Sequence, residues 1–467
     1  MLLAAGWGAS SYGKLERREP SCEDKMQRSA ALLLSTATKR RAAGCFHKPL
    51  WSLGAVQVNH LSFKSSTASS EAFAGVHHSP ITETLWRKRA ASKKIETMTA
   101  DEIHSLKLPK ILEKTPSASR TKMRYSFKSA PELKDQYANA WGYIRHGRVL
   151  EDLDALAGNV AFHHCKDEDP KTLFPSLVTA SVDNMKMLNR FTMDVDVDLV
   201  GSVAWTGRSS MVINLVLSNA DCNTRLIDAN FTFVARNPAT GKSMEINRVV
   251  PETDEERQLF DKFETLDQER KAMRNASADA EALQKRAEEI KKLKEEANVM
   301  MDMPALAPGN VMPMYRTRTE NTTLMHPQNR NMNNKIFGGF LMRRAFEAAF
   351  GTCYLFGGSR PHFLELERVT FKRPVDIGNL VKFVSHVSYS TNNVGNGEHA
   401  VVHVEVEAFV VNPEERTSYL SNVFHFTFAL NLHLEPVNKE LKSVLPLNTH
   451  EAEKYINGRN MVQDNLA

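Results

Sequence analysis

The residues of this 467-residue chain best suited to chemistry are an acid on the apolar face of one helix-like run and a pair of glycines opening another. They belong to one pattern written twice, 192 positions apart. The first copy reads Asn139-Ala-Trp-Gly142-Tyr-Ile144-Arg-His146-Gly147 and continues into a run that carries Asp154. The second reads Asn331-Met-Asn-Asn-Lys-Ile336-Phe-Gly338-Gly339 and continues through Phe346 and Glu347. One copy keeps the acid and the other keeps the double glycine, which predicts a single working site built from both halves. Asp154 shares its face with Leu150, Leu153 and Ala157, so burial should raise its pKa. A carboxylate in such a place can act as a general base on water or as a nucleophile. Gly338 and Gly339 stand where backbone N–H groups at a helix N-terminus face a carbonyl or an anion, and glycine admits a close approach. Plainer readings exist for each: a helix-dipole acid, glycines for tight packing, and asparagines as turn residues. Glu151 and Asp152 read as ordinary first-turn acids.

The elements that must position these residues are helices with explicit spacing. Val149, Leu150, Leu153, Leu156, Ala157, Val160 and Ala161 recur at three- and four-residue intervals, as do Leu341, Met342, Ala345, Ala348 and Ala349. Strand-like segments follow each helix: 177–182, 192–204 and 211–217, then 363–371, 380–389 and 400–411. Met-Asp-Val-Asp-Val-Asp-Leu (193–199) and His-Val-Glu-Val-Glu-Ala-Phe (403–409) alternate as strands with one solvated face do. Each half closes on a similar strand, Asn230-Phe-Thr-Phe-Val-Ala and His425-Phe-Thr-Phe-Ala-Leu. One helix and four or five strands, twice, predict an α+β architecture with two units paired edge to edge. The domains are expected at 120–250 and 311–435. A charged helical linker is expected over 251–310, where 24 of residues 251–300 are Asp, Glu, Lys or Arg, and a C-terminal tail over 436–467.

The first 100 residues are set apart as leader and disordered region. Lys25 to Ser70 contains no acid and is basic and rich in Ser, as mitochondrial transit peptides are. Net charge is only +5, which argues against a nucleic-acid partner. No run is long and apolar enough to predict a transmembrane helix. Five scattered cysteines without a CxxC pair argue against disulfides and structural zinc. Gly241-Lys-Ser lacks the preceding glycine of a phosphate loop and reads as a hairpin turn. No G-x-S-x-G elbow is present.

The doubled loop, the apolar helix with its acid, and the wrapped sheet resemble the hotdog-fold acyl-coenzyme A thioesterases over about residues 120–435. With the leader, the likeness is to the mitochondrial double-hotdog members. The resemblance implies a tandem hotdog fold, each unit an antiparallel sheet wrapped around one central helix, and hydrolysis of acyl-CoA to free acid and CoASH. It implies Asp154 and Asn331 as the catalytic pair, Gly338 and Gly339 positioning the thioester, and a degenerate second site at Asn139, Phe346 and Glu347. It places contacts to the coenzyme A nucleotide at Arg208, Ser209 and Ser210, which read equally well as a solvated hairpin turn. No metal or redox cofactor is implied; coenzyme A enters only as part of substrate and product. A homo-oligomer is expected, in the mitochondrial matrix or associated with the inner membrane. An acyl-thioester hydratase and a non-catalytic acyl-CoA sensor are the rival readings.

Overall fold

Both helix-like runs form helices in a computed structural model of the chain, which describes residues 79–90, 106–167, 169, 171–189, 192–275, 280–331, 334–394, 399–431 and 441–466. The first half comprises α1 (Pro80–Ala90), β1 (Glu113–Lys114), α2 (Pro116–Ser119), β2 (Thr121–Tyr125), α3 (Pro131–Tyr137), α4 (His146–Cys165), β3 (Ser176–Met187), β4 (Val197–Thr206), β5 (Ser210–Asn219), β6 (Arg225–Arg236) and β7 (Arg248–Val249). Helices α5 (Asp254–Asn275) and α6 (Ala280–Asp302) lead to the second half. It comprises β8 (Val311–Pro313), β9 (Thr319–Leu324), α7 (Gly338–Gly357), β10 (Pro361–Phe371), β11 (Leu380–Val394), β12 (His399–Asn412), β13 (Thr417–Leu430), β14 (Ser443–Leu445) and α8 (Thr449–Leu466).

Ten strands form one continuous sheet in the order β2-β4-β5-β6-β3-β10-β13-β12-β11-β9, and every neighbouring pair is antiparallel. The halves join where β3 meets β10, with Val182 opposite Val369. Helix α4 lies on the first five strands and α7 on the last five. Leu150, Leu153, Leu156 and Val160 of α4 are fully buried, and each such side chain stabilises the fold by roughly 1.5–3 kcal/mol. Helix α7 ends at Gly358, whose φ of 66° supplies the left-handed cap that an L side chain resists.

The N-terminal turns of α4 and α7 cross each other closely. A Cβ on Gly339 would lie 2.9 Å from the Glu151 Cα, and one on Gly147 would lie 2.8 Å from the Arg343 Cγ. Glu151 and Arg343 occupy equivalent positions of the repeat, 192 apart, and form an ion pair of 2.8 Å. Two identical residues would face each other at such a crossing. Opposite charges instead make the pairing attractive between halves.

Several expectations change. Glu151 and Asp152 are not first-turn acids: α4 begins at His146, its first turn holds no acid, and both side chains are fully buried. Residues 193–196 form a turn before β4, because Asp196 accepts the Lys128 N–H and its own carbonyl accepts the Ala220 N–H. The charged face of β12 is not solvated: His403 and Glu405 are buried beneath α8. The 436–467 region is therefore more than a tail, since Ala452, Ile456 and Val462 of α8 bury one apolar stripe. The linker contains two helices, and Phe263 of α5 packs on Ala204, Trp205 and Val212. Within the stretch set apart as leader, α1 packs Ile81 and Leu85 into the core; Ser79 caps it and Pro80 opens it. The remainder of that stretch, including the transit peptide expected there, lies outside the described residues. Gly241, at φ +68°, lies in a hairpin turn in which the Asn237 side chain accepts two backbone N–H groups.

Candidate active site

The Asp154 carboxylate bridges the halves. One of its oxygens, Oδ2, accepts the backbone N–H of Gly339 at 2.7 Å, and Oδ1 accepts the Thr179 hydroxyl at 3.0 Å. Helix α4 supplies the acid, the first turn of α7 supplies the amide, and β3 supplies the hydroxyl. The side chain is 3% exposed. Burial raises its pKa from 3.8 to about 6, against the opposing pull of the Thr179 and Gly339 hydrogen bonds. Glycine at 338 leaves room for the acid, because a Cβ there would press on Asp154 Oδ2 at 3.0 Å and on the Phe371 ring at 3.3 Å. The Gly338 N–H has no partner among the described residues, as the first turn of a helix allows.

Asn331 sits at the start of the loop into α7. Its side-chain oxygen accepts the Lys335 N–H at 3.2 Å, which closes the turn. Asn139 does the same for Trp141 and Tyr143 in the first loop. Among the described residues, Asp154 has two hydrogen-bond partners, and Asn331 is not one of them. The sequence-predicted set thus comes together as Asp154, Gly338 and Gly339, with Asn331 in the loop that delivers the glycines. Arg208, Ser209 and Ser210 form the β4–β5 turn. The Arg208 side chain is exposed, while the Arg208 and Ser209 carbonyls accept the N–H groups of Ile246 and Ala235. Beside that turn, Met211 pairs with Phe233, and Phe233 with Thr179. The turn therefore lies at the Thr179 level of the sheet, two strands away, at roughly 10 Å.

Sequence reasoning missed Thr179. The only signal was a hydroxyl in the segment Leu177-Val-Thr-Ala. The ladder shifts register between Thr179 and Ser181, and such a bulge re-aims the neighbouring side chain.

The other loop–helix junction has different occupants. Phe346 stands at the position of Asp154. Phe363 stands at that of Thr179, since Phe363 pairs with Phe428 as Thr179 pairs with Phe233. The two rings meet edge to face with centroids 5.3 Å apart. His146, equivalent to Gly338, lies 5.4 Å from Phe363 and 5.8 Å from Phe346. Burial, with His362 nearby, lowers its pKa to about 4. Glu347 turns aside to pair with Arg145 and Arg344. A cavity of about 170 Å³ remains at the mouth, bounded by Asn139, Trp141, Tyr143 and Arg360.

Among the described residues, one trio could offer metal ligands: His386, Glu405 and Glu407, with donor atoms within 4.8 Å of one another. Lys454 already places its ammonium 2.6 and 2.7 Å from the two carboxylates, so the cluster carries its own cation. No described helix is long and apolar enough to cross a membrane.

No family model matches the chain. It is 38% identical to acyl-coenzyme A thioesterase 2, chloroplastic, of Humulus lupulus, over 82% of this chain and 88% of that protein. It is 40% identical to acyl-coenzyme A thioesterase 4, mitochondrial, of the same plant, over 82% of this chain and 73% of that protein. It is 32% identical to acyl-coenzyme A thioesterase 9, mitochondrial, of Homo sapiens, over 71% of this chain and 74% of that protein. Of solved structures, an apo-hexameric acyl-CoA thioesterase aligns with 36% of this chain and 100% of its own, at 26% identity and a TM-score of 0.29. Identity and coverage to the two plant and the human enzymes settle the matter: the chain belongs to the acyl-coenzyme A thioesterase family and is a thioester hydrolase.

Proposed function

We propose that the chain is a tandem hotdog enzyme that hydrolyses acyl-CoA at one composite site between its halves. The observation that supports this reading is the 2.7 Å hydrogen bond from Gly339 to Asp154, which joins a buried acid to a helix N-terminus 185 residues away. Asp154 serves as the general base on water or as the nucleophile on the thioester carbonyl. The open Gly338 N–H, aided by the positive end of α7, receives the oxygen on which charge develops. Asn331 orders the loop that presents these amides and supplies an amide to water or oxyanion. As base, Asp154 takes a proton from the water that adds to the carbonyl carbon and passes it to the thiolate as the C–S bond breaks. As nucleophile, it displaces the thiolate to form an anhydride that water then cleaves. In both routes the products are a carboxylic acid and CoASH. The Arg208–Ser210 turn, at the same level of the sheet as Thr179, contributes to holding the nucleotide end. The junction holding Phe346, Phe363 and His146 is the degenerate counterpart.

Steady-state hydrolysis of straight-chain acyl-CoAs tests the proposal, with Asp154→Asn and Asn331→Ala beside wild type. CoASH release should nearly vanish in Asp154→Asn and fall strongly in Asn331→Ala. Retained turnover in Asp154→Asn would remove the composite site. Water addition to an enoyl-CoA without CoASH release would favour a hydratase, and tight binding without turnover a sensor.

We place the enzyme in the mitochondrial matrix. The acid-poor, Ser-rich N-terminal stretch supports this, and two of the relatives above are named mitochondrial. One is named chloroplastic, so import of the full chain into isolated organelles decides between them. Further self-association fits the exposed apolar group of Trp141, Tyr354 and Leu355, and equilibrium sedimentation should give a mass above the 52.5 kDa of one chain.

A further inference from the structure

Helix α1 touches both sides of the proposed site at once. Asp152 and Asp154 are two residues apart on α4, so they project about 200° apart around its axis. Asp154 looks toward Gly339 and Thr179. Asp152 looks the other way, and four hydroxyls from three elements grip it. Thr82 of α1 donates to Oδ1 through its hydroxyl at 2.9 Å and its backbone N–H at 3.2 Å. Ser79, the cap of α1, donates its hydroxyl to the same oxygen. Tyr125 at the end of β2 donates to Oδ2 at 2.9 Å, and Tyr137 at the end of α3 also donates there. Whatever fixes Asp152 fixes the rotation of α4 about its axis, and so the direction of Asp154.

The same helix reaches the other half. Trp86 meets the Phe337 ring edge to face, with centroids 5.0 Å apart and planes at 77°. Phe337 immediately precedes Gly338, and its ring lies where a Gly339 side chain would be: a Cβ there would come within 2.7 Å of it. Ile81 and Leu85 anchor α1 in the core between these contacts.

We infer that α1 is a positioning element of the thioester site: Ser79 and Thr82 aim Asp154 through Asp152, and Trp86 seats Gly338 and Gly339 through Phe337. The inference rests on the composite-site reading. It has a consequence for maturation, because any leader that is removed must end before Ser79.

The test uses the full chain. Ser79→Ala/Thr82→Val and Trp86→Leu are compared with wild type and Asp154→Asn, at a temperature where circular dichroism shows each folded. The expected loss is about tenfold to a hundredfold in kcat with KM little changed, because small misplacements of reacting groups cost that much. Trp86→Phe keeps an aromatic edge on Phe337 and should recover most of the rate. A helix that only adds stability would lower the melting temperature and leave kcat per folded molecule at the wild-type value, and that result overturns the inference. If the double variant does not fold, Thr82→Val alone carries the test, with an expected severalfold loss in kcat; wild-type kcat there is equally fatal. Turnover surviving in Asp154→Asn would sink the site reading itself. An inactive Asp154→Asn beside fully active α1 variants would sink this inference alone. Mass spectrometry of the protein from its native source should find an N-terminus upstream of Ser79, and a start beyond Thr82 would also overturn it.

Discussion

The two loop–helix junctions repeat one arrangement, and three positions set their chemistry apart. Asp154, Thr179 and Gly338 stand at one; Phe346, Phe363 and His146 stand at the other. Even the ladder irregularity repeats, between Thr179 and Ser181 in β3 and between Phe363 and Glu365 in β10. At the first junction a buried carboxylate is held by a hydroxyl and a helix N-terminus. At the second, Phe346 packs edge to face on Phe363, Phe426 and, more obliquely, Phe428. Burial opposes the charge of Asp154; the aromatic junction keeps the packing and is free of that penalty.

Asp154→Asn should give the largest effect. The rate should fall by about 100- to 10,000-fold, the usual contribution of a positioned acid–base group. Stability should move the other way. The folded-state pKa of Asp154 is about 6 against an ordinary 3.8, so the folded protein binds this proton more tightly than the unfolded chain does. Its contribution to stability therefore falls as pH rises from about 4 to about 6, and above that the penalty is on the order of 3 kcal/mol. Asparagine avoids the charge and can keep both hydrogen bonds. The melting temperature of Asp154→Asn at neutral pH should equal or exceed that of wild type, and a clear drop would mean the carboxylate is not paying a burial cost.

Gly338→Ala comes next. Its Cβ would press on Asp154 Oδ2 and on the Phe371 ring, so the acid must shift. A loss of about tenfold to a hundredfold in kcat is expected. His146→Gly, at the equivalent position of the other junction, should leave kcat unchanged. Equal effects from the two substitutions would erase the asymmetry.

What could be read from the sequence was what is local. The doubled loops, the periodic helices and the paired Phe-Thr-Phe strands are continuous segments, and they led to Asp154, Gly338, Gly339 and the edge-to-edge sheet. Thr179 was hidden because its partner lies 25 residues away across a bulge. Asp152 looked like an ordinary first-turn acid because the hydroxyls that hold it lie 15 to 73 residues distant. The alternating Glu405 and Glu407 looked solvated because alternation reports two faces and not what covers them; α8, which supplies Lys454, begins about forty residues later. In each case a tertiary partner overrode a correct local pattern.

Thr179→Val should produce a smaller change with a definite sign. The hydroxyl stabilises the ionised carboxylate, so removing it raises the pKa of Asp154. Under the proposed mechanism the ionised form is the one that acts. For wild type, kcat/KM should rise with pH and level off above about 6. In Thr179→Val the midpoint should move up by about one pH unit, the equivalent of one hydrogen bond to a charged group. An unmoved midpoint, with the rate merely lowered, would mean that Thr179 supports the strand and not the carboxylate.

Glu347 gives the smallest expected effect and the sharpest check on which acid acts. It sits one residue past the position equivalent to Asp154, so on sequence alone it could be a displaced second catalytic acid. The structure turns it toward Arg145 and Arg344, with its side chain 30% exposed. A partly exposed ion pair of this kind contributes about 0–1 kcal/mol to stability. Glu347→Gln should therefore leave kcat, KM and the pH midpoint where they are and lower the melting temperature slightly. Phe346, which occupies the equivalent of the Asp154 position itself, packs against four other phenylalanine rings, and Phe363 stands where Thr179 gives Asp154 a hydroxyl. Phe346→Asp would bury a carboxylate there without the support Asp154 receives, so it should destabilise the fold and restore no turnover at that junction. Turnover gained there in an Asp154→Asn background would show that an acid at that position is enough by itself, and that Thr179 and the paired glycines matter less than their contacts imply.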